Sequence, residues 1–186
     1  MKKWIVSFAA VALCALPALS AFAGDDSNDK YSKNFNQSIM NQNITQDYFR
    51  GHEWFGDVYG AYIQGNGGYM RSGGGGGASI GYYFTKNFGI DVEGLTFDGG
   101  QTADTVNGAN ANLLFRLPIE SIHLAPYAFI GGGENFTHIA EPFADAGAGV
   151  EYRFTQHWGI FTDGRYVDNQ AMNSYEEARM GVRFSF

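Results

Sequence analysis

The chain has one cysteine and four prolines in 186 residues, and few basic groups. Past its first two dozen residues it has no apolar run near the ~20 residues that a membrane-crossing helix requires. Each scarcity excludes something. The single cysteine, Cys14, lies in a leader. Met1-Lys-Lys is followed by an apolar stretch from Trp4 to Leu19, with Pro17 near its end and Ala21-Phe22-Ala23 as a small-x-small cleavage site before Gly24. That arrangement reads as a secretory signal peptide over residues 1–23, cleaved near Ala23. Leu13 before Cys14 is not the small residue that lipidation requires. The mature chain therefore contains no disulfide, although it passes through an oxidising compartment. Removing Lys2 and Lys3 leaves 10 basic against 19 acidic groups, a net charge of −9, which argues against a nucleic-acid partner. Without an apolar helix, a membrane-spanning mature chain must be a closed barrel, because open strands would leave backbone groups unpaired in lipid.

Glycine and aromatic residues are plentiful: 26 glycines, and 16% Phe, Trp and Tyr. Residues 24–53 stand apart from the rest. Asp25-Asp-Ser-Asn-Asp-Lys30 is acidic, and Phe35, Ile39, Met40, Ile44 and Phe49 are loosely helical in spacing. The favoured reading is a polar periplasmic tail; the sharper one is a segment that docks on the barrel rim or enters its lumen.

From Trp54 the apolar period becomes two. The last ten residues, Glu177-Ala-Arg-Met-Gly-Val-Arg-Phe-Ser-Phe186, place Ala178, Met180, Val182, Phe184 and Phe186 on one face and Arg179, Gly181, Arg183 and Ser185 on the other. An internal repeat locates the hairpins. Residues 82–94 align with residues 152–164 at six identical positions of thirteen, each copy being a strand end, a tight turn and a strand start. Residues 114–125 read as a third turn of this style. Longer loops are expected at 64–77, 99–107, 132–142 and 169–175. Short turns at one end and long loops at the other mark a transmembrane barrel. Eight strands are predicted near 54–63, 78–85, 88–98, 108–117, 122–131, 143–154, 158–168 and 176–186, an all-β antiparallel up-and-down barrel. The even count puts both chain ends on the periplasmic, short-turn side. Strands one and five are less clear, since Tyr127 and Phe129 fall on the nominal inner face and Pro126 lies inside a strand.

Two features set which face meets lipid. Tyr82, Phe84, Phe88, Phe115, Tyr152, Phe154, Trp158, Phe184 and Phe186 cluster beside the short turns on the apolar face, as an interfacial girdle does. The opposite face carries Asp57, Asp91, Glu93, Asp145, Glu151 and Asp163 with Arg116, Arg153, Arg165, Arg179 and Arg183, six acids against five arginines. An eight-stranded barrel is just wide enough for its own side chains, so charges inside must pair. The inward Gly81, Gly147, Gly149 and Gly181 read as gaps for long arginines. Arg153→Ala is expected to destabilise the barrel by roughly 2–4 kcal/mol.

With these residues in place, the chain resembles the small eight-stranded outer-membrane barrels typified by OmpA and OmpX, over about residues 54–186. The resemblance implies an integral outer-membrane protein, with terminal Phe186 and nearby Phe184 forming the signal read by the insertion machinery. It implies outer-membrane lipid, the barrel-assembly machinery and periplasmic chaperones as partners. It carries no catalytic residue and no cofactor, and a periplasmic C-terminal domain is not expected. The lipid A deacylases of similar strand number carry His-x-Ser-Asn, whereas His138 here is followed by Ile139, Ala140 and Glu141. His123 and His157 lie at short turns, and Ser174 has no histidine beside it in sequence. Glu134, His138 and Glu141 are weighed as a divalent-metal site in the third loop, against an ordinary solvated loop. His52-Glu53 lacks metal-ligand spacing, and Gly73 to Gly77 lacks a phosphate loop's Gly-Lys-Ser/Thr end and reads as a mobile loop. Tyr69, Met70 and Arg71 suggest a sticky loop tip. The expectation is a non-enzymatic barrel with a plugged lumen and an exposed loop surface, the rivals being a narrow pore and a lipid A-modifying enzyme.

Overall fold

A computed structural model describes residues 47–65, 72–98, 105–136, 140–169 and 174–186. Eight strands run in order: β1 Glu53–Gly65, β2 Gly73–Tyr83, β3 Phe88–Asp98, β4 Thr105–Arg116, β5 Leu124–Phe136, β6 Ala140–Arg153, β7 Trp158–Asn169 and β8 Tyr175–Ser185. Every neighbour pairs antiparallel, and β8 returns to β1 to close the barrel. At the seam Trp54 N donates to Phe186 O at 3.1 Å and Phe186 N donates to Trp54 O at 2.9 Å. Closure leaves no free edge.

The repeat in the sequence is a turn with a threonine at its centre. Thr85 Oγ1 accepts from Asn87 N at 3.2 Å and Phe88 N at 3.0 Å. Thr155 Oγ1 does the same for His157 N at 3.2 Å and Trp158 N at 2.9 Å. The hydroxyl satisfies backbone donors that the reversing chain would otherwise leave open. The third short connection differs from these two. It contains a 3-10 turn, Glu120–Ile122, ended by His123 at φ 56°. Pro126 fits in β5 because its carbonyl accepts from Leu117 N at 2.8 Å, just past the end of β4. Its missing N–H faces only that last rung.

Two expected loops are shorter than the sequence suggested. Gly73–Gly77 is not a loop: it pairs on both sides, with β1 through Ile63↔Gly73 to Tyr59↔Gly77 and with β3 from Gly75↔Phe97. The expected loop at 132–142 is mostly ladder, since Gly132–Phe136 pairs with Ala140–Ala144. Both misreadings have one cause. Glycine carries no side chain, so a glycine run shows no period, while its backbone still makes the ladder. The leader, residues 24–46, Tyr69–Arg71 and His138 lie outside the described residues.

Candidate functional site

Outward-facing residues form three zones. Beside the short turns stand Phe84, Phe88, Phe115, Tyr152, Phe154, Trp158, Phe184 and Phe186, exposed, with Tyr82 half-buried. Trp54 joins this ring, its indole 5.0 Å from the Tyr82 ring, and Trp158 lies 4.7 Å from Phe184. Next comes an aliphatic zone that includes Val58, Ile80, Val92, Leu113, Ile130 and Met180. Glycine and alanine follow, as at Gly60, Gly94, Ala111 and Ala146. The outward charges on the strands, Asp98, Glu134, Asp168 and Glu176, all sit at the long-loop edge. The uncharged band covers eight to ten residues per strand, about 20–25 Å at ordinary barrel tilt. Even the Thr162 hydroxyl within it is satisfied, donating to Arg179 O at 2.9 Å. A continuous exposed apolar band of this height is untenable in water and matches a bilayer core. The aromatics are not confined to one end, because Tyr62, Phe136 and Tyr166 are also exposed near the far edge.

The lumen is lined by the opposite set. At the short-turn end, residues 47–52 lie across the mouth, which the tail reading did not anticipate. Phe49 is fully buried, with the Arg153 guanidinium 4.7 Å and the Arg116 guanidinium 5.2 Å from its ring centroid. Arg116 Nη2 donates to Arg50 O at 2.8 Å, and Tyr48 stacks on His123 at 3.8 Å. Lys86 pairs with Asp47 at 3.0 Å. Glu53, assigned by sequence to the polar segment, is instead the first residue of β1 and 1% exposed. It accepts from Arg153 Nη1 at 2.7 Å and Nη2 at 3.0 Å, and from Arg116 Nη2 at 3.2 Å. Glu151 accepts from Arg153 Nε at 2.6 Å and Arg183 Nη1 at 2.8 Å. Arg183 grips Asp57 through two bonds, at 2.8 and 2.7 Å.

Further along the lumen Arg179 holds Asp163 at 2.6 and 2.9 Å and also binds Glu93. Arg165 Nη2 donates to both Glu93 oxygens, at 2.7 and 2.9 Å, and its Nη1 reaches Asp145 at 3.1 Å. Asp91 lies in the lumen but outside this ion-pair web; its partner is Asn112 Nδ2 at 2.7 Å. Glu177 is a further buried acid that the sequence reading missed. At the long-loop end Ile63, Leu95, Phe97, Val106, Phe143, Val167 and Tyr175 form a buried apolar layer.

The inward glycines serve aromatic rings more than arginines. A Cβ on Gly81 would stand 2.2 Å from the Phe55 ring, and one on Gly147 would stand 2.3 Å from the Phe129 ring. Gly181 faces Tyr59 and Phe161, and Gly149 faces Asp163. The rings so accommodated then stack under guanidinium groups, Arg183 over Phe55 at 4.2 Å and Arg165 over Phe129 at 5.4 Å. Tyr127 and Phe129, ambiguous in sequence, belong to this inner packing.

Nothing catalytic assembles among the described residues. His123 and His157 stay at the short turns, and Ser174 Oγ donates to Asp168 at 2.9 Å. Glu134 and Glu141 fall on opposite faces of a paired ladder, Glu134 outward and Glu141 inward, so they do not form one site. A groove of about 660 Å³ on the outer wall is lined by apolar residues such as Val58, Ile160, Met180 and Val182. Its polar side chains are those of Tyr59, Tyr152 and Thr162, and the Thr162 hydroxyl is already taken up by Arg179 O.

No family model matches the chain, and no curated protein matches it in sequence. Solved structures do match in fold. The N-terminal β-barrel domain of Pseudomonas aeruginosa OprF superposes with a TM-score of 0.59 at 16% identity, covering 74% of this chain and 99% of that one. Neisserial surface protein A gives 0.59 at 17% identity, covering 73% and 97%. A designed transmembrane β-barrel gives 0.53 at 19% identity, covering 74% and 98%. The chain has the fold of the small eight-stranded outer-membrane β-barrels.

Proposed function

We propose that this protein is a non-enzymatic integral barrel of the bacterial outer membrane, with a side-chain-filled lumen, and that it serves membrane structure and presents a loop surface to the outside. The observation that carries the reading is the lumen itself. Phe49 occupies one mouth, three arginines and three acids follow, two more arginines bridge further acids, and an apolar layer lies beyond. Arginines held at hydrogen-bond distance by two carboxylates leave little for a passing ion to exchange with, and an apolar constriction opposes wetting. In this reading the leader directs export and is cleaved near Ala23. Phe184 and Phe186 present the signal read by the assembly machinery, periplasmic chaperones carry the unfolded chain, and outer-membrane lipid covers the apolar band.

Planar-bilayer conductance of the purified mature protein tests the filled lumen, run on the whole mature chain and on one lacking residues 24–52. The whole chain is expected to pass no steady current; a stable unitary current from it would favour the narrow-pore rival. Mass spectrometry of lipid A from cells with and without the protein tests the enzyme rival. Identical acyl patterns are expected, and a changed pattern would overturn the non-enzymatic reading.

A further inference from the structure

The segment ahead of β1 is fastened to the barrel by side chains and not by a ladder. Residues 47–52 belong to no strand. Tyr48 N donates to Glu120 Oε2 at 3.2 Å, Tyr48 O accepts from Arg153 Nη1 at 2.5 Å, and Arg50 O accepts from Arg116 Nη2 at 2.8 Å. Phe49 is the one fully buried residue of the six.

Withdrawing this segment would strand no charge in the lumen. Without it Arg153 keeps Glu53 at 2.7 and 3.0 Å and Glu151 at 2.6 Å. Arg116 keeps Glu53 at 3.2 Å, Lys86 O at 2.7 Å and the Tyr83 ring, whose centroid is 3.5 Å from its guanidinium. The penalty that locks the inner ion pairs, an uncompensated buried charge, therefore does not lock residues 47–52. The outer fastening is of a weak kind. Lys86 pairs with Asp47 at 3.0 Å and lies 3.8 Å from Glu120, and all three side chains are exposed, where ion pairs contribute little.

The docked form also holds strain. His52, which joins the segment to β1, has φ 56°, a left-handed conformation that costs a residue with a side chain, and Gly51 precedes it. The His52 ring stays with the wall, its Nδ1 3.0 Å from the Tyr82 hydroxyl. A strained joint pinned to the wall, beside a segment without ladder contacts, has the form of a hinge.

We propose that residues 47–52 are a lid on the short-turn mouth, turning at Gly51–His52 with Phe49 as its catch, while the barrel wall stays closed. Its opening is local and distinct from unfolding. It uncovers Glu53, Arg116 and Arg153 to the short-turn side. It opens no path, because the ion pairs of Arg165 and Arg179 and the apolar layer fill the lumen beyond.

Trypsin tests the lid on the full mature protein in micelles. Cutting after Arg50 requires the Arg116–Arg50 contact to open, whereas cutting after Arg116 or Arg165 requires the wall to open. Mass spectrometry of the fragments follows each cut separately. In the wild type the cut after Arg50 is expected well before any wall cut, at a rate set by the open fraction. Phe49→Ala should speed it about a hundredfold or more, still well ahead of the wall cuts. Phe49→Leu should speed it by a smaller factor, and serves if Phe49→Ala does not fold. A wild-type cut after Arg50 that appears only together with the wall cuts would make the segment a fixed part of the barrel. A wild-type cut as fast as in the Phe49 variants would make it an undocked tail. Either result overturns the proposal.

Discussion

Arg153 donates to Glu53 and Glu151 and to Tyr48 O at 2.5 Å, and its guanidinium lies over Phe49. Removing it leaves Glu151 with Arg183 as its main partner and Glu53 with Arg116. Arg153→Ala should lower the unfolding free energy by about 3–5 kcal/mol, above the range expected from the sequence because two buried acids, Glu53 and Glu151, lose a donor together; an unchanged urea midpoint in micelles would show that the web does not hold the fold. Glycines offer a sharper contrast. Gly147→Ala places a methyl against the Phe129 ring and should cost about 1–3 kcal/mol. Gly94→Ala, with nothing within 4 Å, should change the midpoint little. Equal effects at the two sites would remove the inner-packing argument. At this scale the sequence was informative about which residues face inward, because the alternation around Asp145, Glu151, Arg153 and Arg179 is strict. It was silent on who pairs with whom. Asp91 and Asn112 are adjacent only through β3–β4 register, and Glu177, placed in the last strand by sequence, was not counted with Arg179 and Arg183 on the inner face although it shares their alternation.

At the scale of elements, the segment before β1 and the glycine-rich strand are the two that sequence hid. Residues 47–52 carry no period, so nothing short of the Phe49–arginine contacts distinguishes a docked cap from a tail. Phe49→Ala empties a fully buried site and should cost about 3–5 kcal/mol, read as an earlier thermal transition. The same midpoint as wild type would return the segment to tail status. In β2 the two faces of the glycine run predict opposite outcomes. Gly74 looks outward with only Ala61 O at 4.0 Å, so Gly74→Val should fold. Gly75 looks inward, where a Cβ would stand 2.4 Å from Phe97 Cβ, so Gly75→Val should block refolding. If both fold equally well on gels, β2 is not in the wall as described. The turns were legible for the converse reason: Phe-Thr-x-x-aromatic-Gly repeats because each threonine caps its own reversal.

For the molecule as a whole, strand count, antiparallel order and closure followed from the spacing of turns and the alternation between them. The extent of the hydrogen-bonded wall toward the long loops did not, because Gly131–Gly133 and Gly73–Gly77 show no pattern to read. Everything else rests on which surface faces lipid. Leu113 and Leu114 are neighbours in β4, one 64% exposed and the other 5%. In a background with Trp54→Phe and Trp158→Phe, a single tryptophan placed at either position reports its surroundings through quenching by brominated lipid. Strong quenching of Leu113→Trp and little of Leu114→Trp is the expected result. Equal quenching at both sites, or stronger quenching at Leu114→Trp, would contradict a barrel with its apolar residues in lipid and its charges within.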